Sequence, residues 1–249
     1  MIPHFTGTIP FVDEAQLQEL DRLMTDTYGF NQVQIMENAG LNLAILAREI
    51  FLTNDPHHKK VLVVAGSGSN GGGVMVAARR LKNWGADVSL MLTTTRGKFR
   101  KETIYQFSIL KNMGVQVVDE IPENCDLIIE GMSGIDHKPD SNTKTSKFID
   151  MINESGMQVL SLDAPAGINL TTGKPDESTI KANCTMTLGL AKLGLFKLVA
   201  SKYIGELYLA DISIPKDLLD QMGIQVNGLS KAFAENTVVK INKVVVFNS

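Results

Sequence analysis

Short apolar runs that alternate with helical patterns from residue 60 onward constrain the fold more than any other feature of the chain. Several of the runs lack polar alternation, as strands buried on both faces of a sheet do. The runs are 61–65, 88–92, 115–118, 127–129, 159–162, 185–190 and 207–209, and helical patterns at 75–84, 102–113 and 145–154 lie between them. Repeated strand–helix–strand units predict an α/β fold with a mostly parallel sheet between layers of helices.

Two helices are predicted ahead of the sheet, within a helical N-terminal extension over residues 1–55. Asp13 and Gln16 have the spacing of a capping box, and Gly29 ends the helix that they begin. A second amphipathic pattern runs over 32–51. These helices come before the first strand, so they must pack against the sheet or its edge.

The charge balance argues against nucleic acid or a membrane surface as a partner. The 249 residues include 24 Lys plus Arg and 27 Asp plus Glu, for a net charge of -3, so nothing attracts the chain to a phosphate polymer. No apolar stretch approaches the roughly 20 residues that span a bilayer. With only two Cys, we expect a soluble cytoplasmic protein. One domain over 1–249 is predicted, with 226–249 as an edge strand or a tail.

A glycine-rich segment follows the first predicted strand of the sheet. It is Gly66-Ser67-Gly68-Ser69-Asn70-Gly71-Gly72-Gly73, and a helix comes after it. Glycines let the backbone approach a ligand, and a helix N-terminus directs N–H groups and its positive dipole end toward an anion. Because ligands bind beyond the carboxyl ends of parallel strands, the segment predicts a phosphate or pyrophosphate site. A tight strand-to-helix turn without a ligand would also use glycine.

Two common types of glycine-loop enzyme are disfavoured. The spacing matches G-x-G-x-x-G, but a dinucleotide-binding dehydrogenase carries an acidic residue at the end of the next strand to hold the ribose. Here that strand ends in Leu92-Thr93-Thr94-Thr95. A kinase-type phosphate loop ends in G-K-[ST], and the segment has no such ending.

Two carboxylates stand at the ends of predicted buried strands. Glu130 follows 127–129, where an acid is costly unless it has a partner or binds a cation; a capping or salt-bridging role is the alternative. Asp163 follows 159–162 and precedes Pro165. We expect Asp163 to face the same crevice as the glycine segment and to take and return a proton. It would otherwise fix the turn by accepting backbone N–H bonds.

These segments, in this order, resemble the YjeF N-terminal domain family, whose enzymes are NAD(P)H-hydrate epimerases. The likeness covers most of the chain and extends to Met36-Glu37-Asn38-Ala39-Gly40, Val76-Ala77-Ala78-Arg79, Thr187-Leu188-Gly189-Leu190 and 205–215. The resemblance implies a three-layer α/β/α Rossmann-like fold, usually in a homodimer. It also implies an isomerase that interconverts the R and S forms of hydrated NADH or NADPH and uses no redox cofactor.

The resemblance implies which residues form the site. The family's N-N-G-G-D loop, which contacts the nucleotide, corresponds to Ser69, Asn70, Gly71, Gly72 and Gly73. From the family's F-G-T-G-L loop only Gly134 is kept, and it is expected to bind substrate too. Asp163 matches the substrate-side Asp of D-I-P-S-G, so it is the expected catalytic residue.

A potassium ion held by Asn70, Glu130 and Ala166 is also implied by the resemblance. The family has Asp at the position of Glu130 and Ser at that of Ala166, so this chain has one longer carboxylate and one hydroxyl fewer. Hard cations are held by several oxygens, and the change should weaken or reshape the shell. The backbone carbonyl of Ala166 would be the ligand at that position.

Two function classes fit the residues. The glycine segment and Asp163 favour an epimerase. Substitutions at Gly73, Glu130, Ile135 and Ala166 favour a nucleotide-binding or protein-interaction module of the same fold whose catalytic set has eroded. A nucleotide-binding enzyme with a different substrate is compatible with the same residues.

Overall fold

The computed structural model describes residues 1–94, 96–132, 144–226 and 228–242. These residues form eleven short strands and seven α-helices. The strands are β1 (His4–Phe5), β2 (Phe11–Val12), β3 (Lys60–Ala65), β4 (Asp87–Leu92), β5 (Gln116–Val117), β6 (Leu127–Gly131), β7 (Val159–Leu162), β8 (Cys184–Leu188), β9 (Ala191–Lys192), β10 (Glu206–Ala210) and β11 (Val238–Ile241). The helices are α1 (Glu14–Arg22), α2 (Gln32–Ile50), α3 (Ser69–Asn83), α4 (Lys101–Asn112), α5 (Lys144–Glu154), α6 (Lys216–Gln221) and α7 (Leu229–Glu235). Gly134, Ile135 and the end of the predicted tail lie outside the described residues.

A nine-stranded sheet organises the described chain in the order β1-β11-β10-β8-β7-β6-β3-β4-β5. Its neighbouring strands are parallel except for β10 and β11, which are antiparallel. A separate two-stranded parallel sheet joins β2 to β9. The predicted α/β class and mostly parallel sheet are therefore confirmed.

Helices cover both faces of the sheet, and alternate residues of one strand show the two cores. In β3, Val61, Val63 and Ala65 pack with residues of α2, α3 and α4. The intervening Leu62 and Val64 pack with residues of α5. Each fully buried side chain of this size stabilises the fold by about 1.5–3 kcal/mol. This explains why the strand sequences are apolar without alternation. None of the helices in the described ranges has the length and apolar character needed to cross a bilayer.

The N-terminal extension contains the predicted helices and two short strands that the sequence did not reveal. The Asp13 side chain accepts from the N–H of Gln16 at 2.9 Å, and the Gln16 side chain accepts from the N–H of Asp13 at 3.0 Å. The predicted capping box is thus confirmed. The prediction that the extension is entirely helical was wrong, because β1 and β2 precede α1. Two-residue strands are set by their partners in the sheet, which a sequence pattern cannot identify.

The glycine-rich segment differs most from the prediction, because its second half is helical. Helix α3 begins at Ser69, whereas the pattern predicted a loop up to about residue 74. Glycine costs about 1 kcal/mol per residue in a helix relative to alanine, so the sequence argues against a helix there. Close packing of this stretch against its neighbours is what outweighs that cost.

Helices α2 and α3 approach each other closely at Gly40. A Cβ added at this position would clash with the Cβ of Val76 and lie 2.5 Å from the carbonyl oxygen of Gly73. The second contact is with backbone, so the two helices would have to separate to accommodate a side chain. The glycine of the Met-Glu-Asn-Ala-Gly segment therefore has a packing role.

We expect Gly40→Ala to lower the free energy of unfolding by about 1–3 kcal/mol, the usual cost of overpacking. Gly97→Ala is the control, because no atom lies within 4 Å of a Cβ added there. Urea unfolding followed by circular dichroism measures both variants. Equal stability of the two variants would contradict the proposed contact between α2 and α3.

Candidate active site

A cavity of about 190 Å³ lies beside the carboxyl ends of β3, β7 and β8. Its polar lining includes Ser69 and Asn70 at the start of α3, Asp163 directly after β7, and Lys192 on β9. Parallel strands end on one side of the sheet, so residues distant in sequence meet there. The cavity is thus where the sequence predicted a site, and it contains three of the predicted residues.

The N-terminal helices form another part of the cavity wall. Leu17, Leu20 and Asp21 of α1 line it, as do Gln32 and Ile35 of α2. The hydroxyl of Ser69 lies 3.3 Å from Gln32 Oε1 and donates to it, which connects the start of α3 to α2. Sequence reasoning missed these lining residues, because an amphipathic helix face does not reveal which surface it covers.

The start of α3 is held in place by α4 and carries no side-chain cap. Helix α3 begins after Gly68, which cannot cap it with a side chain. Thr103 Oγ1 donates to the carbonyl of Gly68 at 2.9 Å, and the N–H of Arg100 donates to the carbonyl of Ser67 at 3.0 Å. A helix N-terminus without a cap leaves N–H groups for a ligand, and here it adjoins the cavity.

The glycines at 71, 72 and 73 serve packing instead of lining the cavity. Added Cβ atoms would clash with the carbonyl of Gly66 at position 71, approach Met36 Sδ to 2.5 Å at position 72, and approach Leu162 Cδ2 to 2.8 Å at position 73. A side chain at Gly73 would therefore point toward β7. Gly71, Gly72 and Gly73 are not among the residues that line the cavity. That they contact the substrate stays a prediction.

Asp163 has the environment of a carboxylate held in its ionised form. It is buried, and its Oδ1 lies 2.5 Å from Lys192 Nζ. The same oxygen accepts from the N–H of Leu188 at 3.2 Å and from Thr187 Oγ1 at 3.4 Å. Its backbone has a φ of +70°, a strained conformation for a residue with a side chain. The turn after β7 therefore directs this carboxylate to the cavity at an energetic cost.

Lys192 lines the cavity, and the sequence did not predict that it pairs with Asp163. It lies on β9 and is 2% exposed, and its Nζ also donates to the carbonyl of Leu188 at 2.7 Å. A buried lysine is rare unless it is paired. In the sequence, Lys192 stands two residues after the predicted strand 185–190. That position does not reveal that Asp163 is its partner.

Glu130 ends β6 and is fully buried without a cationic side chain among its described partners. Its Oε2 accepts from the N–H of Met132 at 3.0 Å, and its Oε1 accepts from the N–H of Ala166 at 3.1 Å. Burial raises the pKa of Glu130 from 4.5 to about 7, and hydrogen bonding to these donors only partly opposes this. The hydroxyl of Ser161, next to Glu130 in the sheet register, is buried without a hydrogen bond of normal geometry.

Two of the three residues expected to hold potassium are in contact, since the N–H of Ala166 donates to the Glu130 carboxylate. The carbonyl oxygen of Asn70 would lie 2.6 Å from a Cβ added at Gly131, the residue after Glu130. The Ala166 carbonyl accepts from the N–H of Ile180 at 2.9 Å, so one of its two lone pairs is in use. A buried carboxylate without a positive partner fits a cation, whereas Ala166 contributes less than expected.

The fold and the position of the cavity define a Rossmann-like α/β protein with a ligand site at the carboxyl ends of its strands. Residues 32–194 match the family described as YjeF-related protein N-terminus, and the chain belongs to that family. The crystal structure of yeast ynu0, YNL200c, is similar in fold, with a TM-score of 0.75 and 23% sequence identity. The alignment covers 93% of this chain and 100% of the yeast chain.

Relatives from several organisms carry names that refer to NAD(P)H hydrates. The chain is 33% identical over 223 residues to the bifunctional NAD(P)H-hydrate repair enzyme Nnr of Thermofilum pendens, covering 85% of this chain and 42% of that protein. It is 32% identical to the NAD(P)H-hydrate epimerase of Dehalogenimonas lykanthroporepellens, covering 84% of each. It is 29% identical to the NAD(P)H-hydrate epimerase of Rhodopirellula baltica, covering 87% and 89%. This chain thus spans less than half of the Thermofilum protein and most of the other two.

Glu130→Gln should remove a pH dependence of stability. The folded protein binds the Glu130 proton more tightly than the unfolded chain does, so protonation stabilises the fold. This stabilisation is complete below pH 4.5 and is lost as the pH rises to about 7, a change of about 3 kcal/mol. Because Gln does not titrate, the variant should gain that amount relative to wild type over this range.

Urea unfolding at pH values from 4.5 to 8, in a buffer without alkali cations, measures this difference. Glu235→Gln, an exposed substitution on α7, is the matched control. A difference between Glu130→Gln and wild type that stays constant with pH would show that Glu130 titrates normally.

Proposed function

We propose that the protein is an NAD(P)H-hydrate epimerase that interconverts the R and S forms of hydrated NADH and NADPH. The observation that carries the proposal is the Asp163 carboxylate, held at the cavity by Lys192, Thr187 and Leu188 beside the uncapped start of α3. A proton-exchanging group next to a phosphate-binding helix end suits a nucleotide whose reacting ring lies near its pyrophosphate. The names of the relatives support the same substrate.

Substrate binding is assigned to the start of α3. The N–H groups of the uncapped first turn would bind the pyrophosphate, with Ser69 and Asn70 on the cavity wall. The glycines Gly71 to Gly73 would contribute by letting α3 pack closely enough to bring its N-terminus to this position. Gly134 remains part of the proposed substrate site, and it lies outside the described residues.

Asp163 is assigned the proton transfers of the reaction. Its carboxylate takes the proton of the substrate hydroxyl as the bond between the hydrated carbon and the ring nitrogen breaks, and the hydroxyl becomes a carbonyl. The proton passes to the ring nitrogen. Rotation of the open-chain carbonyl and the reverse steps close the ring with the opposite configuration, and the carboxylate is regenerated. A single carboxylate that alternates between base and acid suffices for this cycle.

A potassium ion is proposed at Glu130, held by that carboxylate and by an oxygen of Asn70, with Ala166 contributing through its backbone. The buried carboxylate of Glu130, with the hydroxyl of Ser161 beside it in the sheet register, supports an oxygen-rich cation site. When bound, the ion would offset the charge of Glu130 near the substrate phosphates. No redox cofactor is needed, because the two forms of the substrate have the same oxidation state.

A binding module is the second candidate, and the altered cation site favours it. Both oxygens of Glu130 accept backbone N–H bonds, and the Ala166 carbonyl is already hydrogen-bonded. A protein that had lost the reaction would keep the fold and the nucleotide pocket. Such a module would bind the hydrated nucleotide without converting it.

We also propose a homodimer in the cytoplasm. The exposed side chains of Leu198 and Val199 support an association surface, since large apolar groups on a surface often mark contacts. Cys125 and Cys184 are both buried and are not joined in a disulfide, which is in keeping with a reducing compartment.

The proposed reaction predicts that Asp163→Asn loses turnover. The assay starts from purified R-NADPH hydrate and measures its conversion to the S form through the consumption of that form by an S-specific dehydratase. Wild type should convert it well above the uncatalysed rate, and Asp163→Asn should be slower by about 100-fold or more, the usual worth of a general acid–base group. Asp87→Asn, an exposed substitution at the start of β4 on the opposite side of the sheet, should leave the rate unchanged.

Full activity in Asp163→Asn would remove the assignment. No conversion by folded wild type that still binds the nucleotide would favour the binding module.

The proposed cation site predicts that potassium stabilises the folded protein. Replacing choline chloride with potassium chloride at equal ionic strength should raise the melting temperature by about 2–4 °C per kcal/mol of binding free energy at this chain length. Glu130→Gln should lose the effect because it lacks the charge, and Glu235→Gln should keep it. An equal response of wild type and Glu130→Gln would place the cation elsewhere.

A further inference from the structure

The buried ion pair between Lys192 and Asp163 is unusual because both partners line the cavity. The exposed fractions of their side chains are 3% and 9%. Burying two charges costs more free energy than their attraction returns in many proteins, so such a pair is weak support for a role in stability. Here one partner of the pair, Asp163, is the carboxylate that the proposed reaction uses for proton transfer.

All the contacts of Asp163 Oδ1 favour the ionised carboxylate. They come from the Lys192 ammonium, the Leu188 N–H and the Thr187 hydroxyl. In the described residues, no hydrogen bond is made to the other oxygen, Oδ2. The arrangement fixes one oxygen to the protein and leaves the second for the cavity.

Lys192 is itself held firmly by the N-terminal segment. Strand β9 pairs with β2, with Lys192 opposite Val12. Next to this pair, the rings of Phe11 and Phe196 lie 4.5 Å apart. The Lys192 ammonium also donates to the carbonyl of Leu188 at 2.7 Å, so its position is defined by two contacts and by the strand that carries it.

We propose that Lys192 is a positioning residue for the reaction: it holds Asp163 Oδ1 so that Oδ2 faces the substrate. The inference rests on the proposed function, and it goes further by giving the second partner of the buried ion pair a role in the reaction. Asp163 exchanges protons with the substrate through Oδ2. Lys192 neither loses nor gains a proton in the cycle.

Other charges near the pair come from different elements. Asp21 of α1 and Arg100 before α4 also line the cavity. Thr187 and Leu188 of β8 contribute only neutral donors. Of these groups, only Lys192 has its charge in contact with Asp163, so a substitution of Lys192 removes that contact together with the hydrogen bond to the Leu188 carbonyl.

The test compares Lys192→Met with Lys192→Arg. Methionine has a similar shape without charge, whereas arginine keeps a permanent charge that can bond a carboxylate. Lys192→Met should lower kcat by about 100-fold, as expected for a misplaced catalytic group, with a smaller effect on KM. Lys192→Arg should restore part of kcat, because its guanidinium can still bond Asp163 Oδ1.

Lys111→Met, at the exposed end of α4, is the matched control and should behave as wild type. If Lys192→Met does not fold, the double variant Lys192→Met/Asp163→Asn removes both buried charges, and Lys192→Arg still tests the role of charge. The proposal is overturned if Lys192→Met keeps a kcat within about threefold of wild type.

A carboxyl carbon signal separates this inference from the proposed function. With ¹³C-labelled aspartate, the Asp163 resonance, assigned by its loss in Asp163→Asn, reports the surroundings of the carboxylate whether or not the protein turns over hydrate. At one fixed pH, its chemical shift should change in Lys192→Met and stay near the wild-type value in Lys192→Arg. An identical chemical shift in all three would refute the inference even if wild type is an active epimerase. The expected difference in an inactive wild type would support the ion-pair role while the proposed function fails.

Discussion

Direct contact between three backbone segments determines where the candidate site forms. The turn after β3, the start of α3 and the end of β6 meet at Gly66, Gly71 and Gly131. A Cβ at Gly66 would clash with the Met132 carbonyl, and one at Gly131 would lie 2.6 Å from the Asn70 carbonyl. No side chain fits between these segments, so the N-terminus of α3 lies directly over the strand ends. The glycine run costs helix propensity and in return permits this approach.

Two buried carboxylates follow from this arrangement, and their surroundings differ in one respect. Asp163 has a lysine as partner, whereas Glu130 has only neutral donors in the described chain. Burial raises the pKa of Glu130 to about 7. The proposed function uses this difference: it places proton transfer at Asp163, after β7, and the proposed cation at Glu130 of β6.

The sequence predicted the sheet and the strand ends well because both depend on local patterns. Apolar runs between helices revealed β3, β4, β6 and β7, and the residues after them included Asp163. Contacts between segments that are distant in the sequence could not be predicted from these patterns. The helical start of α3 depends on packing against Met36 and Leu162, and the pairing of Lys192 with Asp163 depends on β9 being aligned by β2. Neither interaction has a counterpart in the pattern of one segment.

The two departures from the family at the cation site are in physical contact. The extra methylene of Glu130 extends its carboxylate, and Oε1 reaches the N–H of Ala166, the residue that lacks the family's hydroxyl. A carboxylate that bonds to the backbone at this point needs no side-chain hydroxyl to connect β6 to the turn after β7. Asp163 lies three residues before Ala166 in the same turn, so this bond also supports the position of the proposed catalytic carboxylate. The bond thus joins the two positions, Glu130 and Ala166, at which the resemblance implies a difference from the family.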